Sequence, residues 1–168
     1  MSKGKITIVF LIIFGLLVLA MPVSNFFLQR QTIEVTSGIP EFKPVSKIMQ
    51  NKCVDCHTPG MVSEPFYGKL PGASQLIQAD IDGAQQQIIF SKEHLKGEKQ
   101  FSKLELVRIQ TVVQNNEMPI LPYKMLHWDA GLTNEDREAF LVWIQAQMKT
   151  ATNAPSPVEV PNEQTPVK

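Results

Sequence analysis

The sequence predicts an all-α domain that follows a single N-terminal transmembrane helix and precedes a disordered C-terminal tail. Residues 6–21 are apolar apart from one threonine. Further along the chain, apolar residues recur every three or four positions, which is the period of an amphipathic helix. Residues 149–168 contain four prolines and almost nothing large and apolar, which is typical of disorder. A chain of 168 residues holds one domain at most.

The apolar run at the N-terminus is long enough to cross a bilayer. With the apolar residues that follow, it reaches roughly 20 residues, the length that a spanning helix needs. Lys3 and Lys5 precede it and favour a cytoplasmic N-terminus. A cleaved signal peptide is the alternative. A cut after Ala20 would have bulky Leu19 beside it and Pro22 two residues on, so we favour a retained anchor. In either case the domain lies on the far side of the membrane.

Changes in composition divide the chain into four parts. Residues 1–30 form the anchor or signal peptide, residues 31–41 an extended polar linker, residues 42–148 the folded domain, and residues 149–168 the tail. The 16 basic and 16 acidic residues cancel, so charge gives no argument for a nucleic-acid partner.

Two helices are predicted in the first half of the domain. One begins near Pro44, carries three apolar residues on one face and leads directly into Cys53. The other spans residues 74–90, where isoleucines recur at helical spacing. Residues 91–100 are charged and contain a glycine, so we expect a loop in which His94 is solvated and is not a ligand.

Capping boxes predict the starts of two further helices. Ser102 is followed three residues later by Glu105, and Thr133 by Asp136. Each pair precedes an apolar stripe at helical spacing. The first of these helices should stop at Asn115–Asn116.

Residues 53–57 read Cys-Val-Asp-Cys-His, the C-x-x-C-H attachment site of a c-type haem. Cys53 and Cys56 lie on one turn, where their thiols can reach the two vinyl groups of one porphyrin. His57 is then held against the porphyrin face, where its imidazole can ligate the iron. The chain has two cysteines, so covalent attachment leaves no free thiol. The motif therefore predicts one covalently attached haem c.

Three alternatives to a haem site fit the sequence less well. A thioredoxin-like C-x-x-C site needs a βαβ pattern, and none is found. A zinc site needs two more ligands at short spacing, whereas His94 and His127 lie far apart in the sequence. A structural disulfide has no use for the adjacent histidine.

The iron needs a sixth ligand, and Met118 is the best candidate. It lies 61 residues after His57, which is enough chain to wrap around the haem. The proline that follows it fixes the backbone, and a thioether ligand favours Fe(II). His127 is the main alternative, because imidazole also binds iron well. Met125 and Met61 are weaker candidates.

Taken together, these features resemble class I c-type cytochromes and, more closely, the bacterial haem-binding domain family of small single-haem proteins. The resemblance covers about residues 42–148. Its matching segments are the Pro-aromatic-Tyr stretch at residues 65–67, an approximate Asp-x-x-x-Gly match at residues 80–83, and a Met-Pro followed by Tyr and His, at Met118–Pro119, Tyr123 and His127. Phe66 stands where a tryptophan is expected, and Ile120 where a second proline is common. Because both Met118 and His127 match, the resemblance leaves the choice between them open.

The resemblance implies a class I-like haem domain of bacterial origin. Together with the N-terminal apolar run, it leads us to expect a protein anchored in the inner membrane, with the haem domain on the periplasmic side. The expected function is to carry single electrons between redox partner proteins. A haem sensor for a diatomic gas and a haem subunit of a larger respiratory complex are alternatives. A peroxidase needs an open iron and distal acid–base groups, for which His127 alone gives little support.

Overall fold

The computed structural model describes residues 3–28 and 30–153, with side chains up to Lys149, and within these ranges the regular structure is entirely helical. The predicted all-α fold with an apolar N-terminal helix is confirmed. The α-helices are α1 (Lys3–Asn25), α2 (Phe42–Lys52), α3 (Val54–His57), α4 (Ala73–Gln87), α5 (Lys92–Lys96), α6 (Lys103–Gln114), α7 (Leu121–Leu126) and α8 (Asn134–Asn153). A 3-10 turn at Phe66–Lys69 separates α3 from α4.

Helix α1 is the candidate membrane span among the described residues. Its 23 residues make it roughly 35 Å long at 1.5 Å per residue, against a bilayer core of about 30 Å. Nearly all of its side chains are exposed. Only its C-terminal turn is covered, where Pro22 and Asn25 are buried.

The segment predicted as a linker packs against the domain. The side-chain amide of Gln50 on α2 accepts a hydrogen bond from the backbone N–H of Ile33 at 2.6 Å and donates to the Ile33 carbonyl at 2.9 Å. Val35 and Ile39 also pack against the hydrophobic core. The described part of this segment, residues 30–41, has no regular secondary structure up to Ser37 and is held against α2 by these contacts.

The core lies between α2, α6 and α8. Helix α8 packs against both α2 and α6. Val45 and Met49 on α2 are fully buried, as the apolar face of that helix predicted. They lie in one cluster with Leu106 on α6 and with Phe140 and Trp143 on α8.

Both predicted capping boxes are present. The Ser102 hydroxyl accepts from the Glu105 N–H at 3.3 Å, and the Glu105 carboxylate accepts from the Ser102 N–H at 2.7 Å. Thr133 and Asp136 exchange the same pair of bonds, at 3.1 and 2.9 Å. Helix α6 ends as predicted, because Asn116 adopts the left-handed conformation, with φ of 57°.

The prediction of a solvated His94 in a loop is wrong. Ser91 caps α5, and the ring of His94 is 2% exposed and stacks on Phe101 with centroids 4.3 Å apart. The Ser91 N–H donates to His94 Nδ1 at 3.2 Å. The charged residues of this segment lie on the solvent side of one helical turn, while His94 and Leu95 lie on the core side. Charge alone could not distinguish this turn from a loop.

Two helix boundaries and one additional helix differ from the sequence prediction. Helix α4 ends at Gln87, three residues early, since Ile88 is extended. Helix α7 was not predicted, because it is a single short turn with a proline near its start. Helix α8 continues to Asn153, and the rest of the predicted tail, residues 154–168, lies outside the described residues.

Candidate functional site

The cysteine-histidine motif lies at the junction between α2 and α3. The N–H of Cys53 donates to the Met49 carbonyl at 2.8 Å and ends α2, and the N–H of His57 donates to the Cys53 carbonyl at 3.0 Å within the next turn. This turn holds Cys53, Cys56 and His57 close together. Burial raises the pKa of Cys53 to about 12 and that of Cys56 to about 11, so both are thiols at neutral pH.

The backbone after α4 orients His57. Its Nδ1 lies 3.0 Å from the Ile88 carbonyl, and its ring stacks on Phe90 with centroids 5.0 Å apart. Burial lowers the pKa of His57, although the bond to Ile88 acts in the opposite direction. In the neutral imidazole, Nδ1 donates to this carbonyl, which leaves the lone pair of Nε2 free. Metal-ligating histidines commonly donate their second ring nitrogen to a carbonyl in this way.

Two adjoining cavities, of about 290 and 250 Å³, open beside the motif. Both are lined by Cys53, His57, Gln87, Met118 and Pro119. Together they fall within the range of roughly 300–1,000 Å³ that is usual for cofactor pockets.

The walls of the two cavities differ in chemistry. The larger one is lined mainly by apolar side chains from α6, α8 and the loop before α8, namely Ile109, Val112, Val113, Leu132 and Phe140. The smaller one is more polar and brings Cys56 together with Asp55, Asp80 and Tyr123. Gly83 also lines it, so both ends of the approximate Asp-x-x-x-Gly match reach the site.

Met118 lies on the loop just beyond α6 and is half-buried. Two hydrogen bonds hold the loop before Met118: the Glu117 N–H donates to the Val112 carbonyl at 3.0 Å, and the Arg137 guanidinium donates to the Asn116 side chain at 2.9 Å. The Met118–Pro119 peptide bond is cis. The structure therefore brings Met118 into the same space as Cys53 and His57.

His127 occupies a different position. It lines a third cavity, of about 200 Å³, together with Tyr67 and Leu126. Its buried ring stacks on Tyr123 with centroids 3.9 Å apart, and its Nδ1 lies 3.1 Å from the Tyr123 carbonyl. The Tyr123 hydroxyl donates to Asp55 at 2.6 Å, so the third cavity adjoins the smaller of the other two through this pair.

The remaining candidates lie away from the cavities that contain the motif. Met61 is fully buried in the core, and Met125 is exposed at the surface of α7. His94 stacks on Phe101, and Phe101 in turn contacts Phe90, the ring that stacks on His57. Among the described residues, no group of three or more His, Cys, Asp or Glu side chains is placed so that it could hold a metal ion.

Three groups at the site were missed by sequence reasoning. The Ile88 carbonyl carries no sequence signal, because any residue supplies one. Gln87 lines both cavities, and its carbonyl accepts from Arg108 at 2.7 Å. Arg108 itself lines the larger cavity, and it could have been noticed as the one basic residue between Leu104 and Gln114.

Comparison with known proteins agrees with the chemistry of this site. A family model described as a haem-binding domain matches residues 10–146. The cytochrome c peroxidase Ccp of Escherichia coli (strain K12) is 32% identical over 121 residues. The matched part is 70% of this chain and 26% of that protein, so the chain spans about a quarter of this relative's length. No solved structure matches the chain.

Proposed function

Because the chain belongs to the haem-binding domain family, we propose that it is a monohaem c-type cytochrome that carries single electrons between redox partner proteins. One observation carries this proposal: His57 and Met118 line the same two adjoining cavities as Cys53. An imidazole and a thioether that line the same two cavities would be a suitable pair of ligands for a haem iron.

Four residues would hold the haem. Cys53 and Cys56 would form thioether bonds to its vinyl groups, and His57 and Met118 would be the axial ligands. When bound, the haem supplies an iron that gains or loses one electron. The protein supplies the rest: the Ile88 carbonyl holds the His57 ring in one orientation, and apolar side chains form most of the wall of the larger cavity. The Met118 thioether would favour Fe(II) and would compete with other ligands for the iron.

The proposal for the location of the protein rests on α1. We propose that α1 is retained as an anchor in a bacterial inner membrane and that the haem domain lies on the periplasmic side. The length and the exposed apolar surface of α1 support a span. Lys3 and Lys5 at its start favour a cytoplasmic N-terminus.

A peroxidase role is the second candidate, and the similarity to cytochrome c peroxidase Ccp favours it. It would require an open or displaceable sixth position and an acid–base group beside it. His127 could be that group, since its cavity adjoins the smaller cavity of the motif through Asp55 and Tyr123. The match covers 26% of Ccp, and the activity in that protein's name need not lie in the shared part.

Extraction of the haem tests covalent attachment. The haem should stay with the denatured, acetone-extracted chain, because thioether bonds survive unfolding. The variant Cys53→Ala with Cys56→Ala is the matched control and should lose its haem. Haem that extracts freely from the wild-type protein would contradict c-type attachment.

Carbon monoxide distinguishes the carrier from the peroxidase. The reduced full-length protein should keep its absorption spectrum under carbon monoxide, because Met118 would fill the sixth position. The absorption spectrum of the Met118→Ala variant should change as soon as carbon monoxide is added, so this variant serves as the positive control. A wild-type protein that binds carbon monoxide readily and turns over hydrogen peroxide would favour the peroxidase.

A further inference from the structure

We propose that the haem domain lies directly on the membrane surface through an apolar docking face at the C-terminal end of α1. The docking face consists of Phe26 and Phe27 after α1, and Leu121, Met125 and Trp128 on and after α7. Its partner is the interfacial layer of the lipid bilayer. This goes beyond electron transfer, and it rests on α1 being retained as a span.

The first observation is that the end of α1 is fixed to the domain. Asn25, in the last turn of α1, is 8% exposed. Its side-chain amide donates to the Tyr67 hydroxyl at 2.8 Å and to the Leu126 carbonyl at 2.7 Å. The second bond satisfies a carbonyl in the last turn of α7, where helical carbonyls lack partners. Helix α7 is therefore held at the point where the chain leaves the span.

The second observation is the exposure of the docking face. Its five side chains are exposed by 59% (Phe26), 81% (Phe27), 67% (Leu121), 64% (Met125) and 56% (Trp128). Single exposed apolar residues are ordinary, whereas a contiguous group of them marks a surface that binds a protein or a membrane.

The third observation joins the two halves of the docking face. The rings of Phe26 and Trp128 meet edge to face, with centroids 6.2 Å apart. The indole N–H of Trp128 donates to the Met125 carbonyl at 3.0 Å, so this ring needs no water partner. Aromatic side chains at the end of a span are typical of the membrane–water interface.

Lipid is the occupant that the position of the docking face favours. If α1 spans the bilayer, lipid covers its exposed apolar side chains, and the docking face continues directly from its C-terminal end. Lys124 and Asp129 lie beside the docking face with opposite charges. Arg30, which acts electrostatically on Tyr123 and His127, leaves a net charge of one near the face. Attraction to anionic headgroups is therefore weak, and apolar burial drives the contact.

Spin-label accessibility in nanodiscs tests the docking face. The full-length haem protein carries Met125→Cys with a nitroxide, at one copy per disc. Both native cysteines would be held in thioether bonds, so the introduced thiol is the one that reacts. The matched control is Leu104→Cys on α6, which is 61% exposed away from α7. Collision rates with oxygen, which concentrates in lipid, are compared with those of a water-soluble nickel chelate.

The label at residue 125 should collide more with oxygen than with the chelate, and the label at residue 104 should show the reverse. The ratio at residue 125 should not change when anionic lipid replaces zwitterionic lipid. Equal ratios at the two positions would overturn the proposal, because the docking face would then lie in water. A second set of discs holds two copies of the protein. If the label at residue 125 is shielded from both reagents in these discs only, the proposal is overturned and the docking face binds a second copy. The absorption spectrum of the same sample reports separately on the haem site.

Discussion

Two regions of this molecule each hold a candidate for the sixth iron ligand, and they differ in what surrounds that residue. Met118 lies on a loop beyond α6 and lines both cavities that His57 lines. His127 lies at the end of α7, where its ring is stacked on Tyr123 and its Nδ1 contacts the Tyr123 carbonyl. Met118 lines the two cavities that contain Cys53 and His57, whereas His127 lines the third cavity, which contains Asp55 and Cys56 of the motif but not His57.

The difference shows why ligand chemistry alone could not choose between the two residues. Both side chains bind iron well, and both match the family pattern. The choice depends on how the chain after α6 packs against the motif. The two regions are connected by Asp55, which lies between the two cysteines in the sequence. Its carboxylate accepts a hydrogen bond from the Tyr123 hydroxyl at 2.6 Å. A substitution in one region can therefore be tested for its effect on the iron ligands or on the stability of the other region.

The largest effect is expected from Met118→Ala. Loss of the thioether should abolish the sulfur–iron(III) charge-transfer band and open the iron to carbon monoxide. The reduction potential should fall by at least about 60 mV, a tenfold change for a one-electron couple. Redox titration and absorption spectroscopy measure these changes. Met125→Ala, at an exposed methionine, is the control and should leave the charge-transfer band, carbon monoxide binding and the reduction potential unchanged. A charge-transfer band that survives in Met118→Ala would contradict the assignment.

His127→Ala should affect stability and leave the ligands in place. Removing a buried ring that stacks on Tyr123 should lower the free energy of unfolding by about 2–4 kcal/mol, mainly through a cavity. Denaturant unfolding followed by circular dichroism gives this value. His127→Phe keeps the stacking and should recover most of the loss. If His127→Ala instead abolishes a bis-histidine spectrum, the roles of the two regions are reversed.

Tyr123→Phe tests the connection between the two regions. The substitution removes the hydroxyl that donates to Asp55 and leaves that buried carboxylate with the Ser63 N–H as its remaining hydrogen-bond donor among the described residues. The free energy of unfolding, measured by denaturant titration, should fall by about 1–3 kcal/mol. The charge-transfer band should persist, because Met118 and His57 are untouched. A variant as stable as the wild type would show that the hydrogen bond contributes nothing.

The smallest effect is expected at Asp136, which lies outside both regions. Its burial raises the pKa, but hydrogen bonds from Lys52 at 2.7 Å and from the Thr133 N–H outweigh this, so the pKa lies below its usual value. Asp136→Asn should cost roughly 0.5–1 kcal/mol. A depressed pKa stabilises the fold above the unfolded pKa, and this stabilisation is lost as the pH falls through the folded value. The stability difference between wild type and variant should therefore be constant near neutral pH and shrink below about pH 4. A difference that does not change with pH would contradict this.

Much of the fold could be predicted because its signals are local. The two capping boxes, the apolar face of α2 and the stop at Asn116 each depend on residues within one or two turns. The positions of Cys53, Cys56 and His57 on one turn also follow from their spacing. The haem-binding family was recognised from the motif and from a few spaced residues, and the family match confirms it.

The rest depends on contacts between segments that are distant in the sequence. His94 is buried because Phe101 covers it, and nothing in the charged segment around it indicates this. The Ile88 carbonyl reaches His57 because α4 ends at Gln87, three residues before the predicted end. The choice of Met118 over His127 stays a prediction, which the positions of the cavities support.

Proton nuclear magnetic resonance of the reduced wild-type protein tests the central claim most directly. A methionine that ligates a haem iron holds its methyl group above the porphyrin, where the ring current shifts its resonance strongly upfield. We predict one such methyl resonance, absent in Met118→Ala and unchanged in His127→Ala. A spectrum without this resonance, or one that loses it only in His127→Ala, would contradict the assignment of Met118 as the sixth ligand.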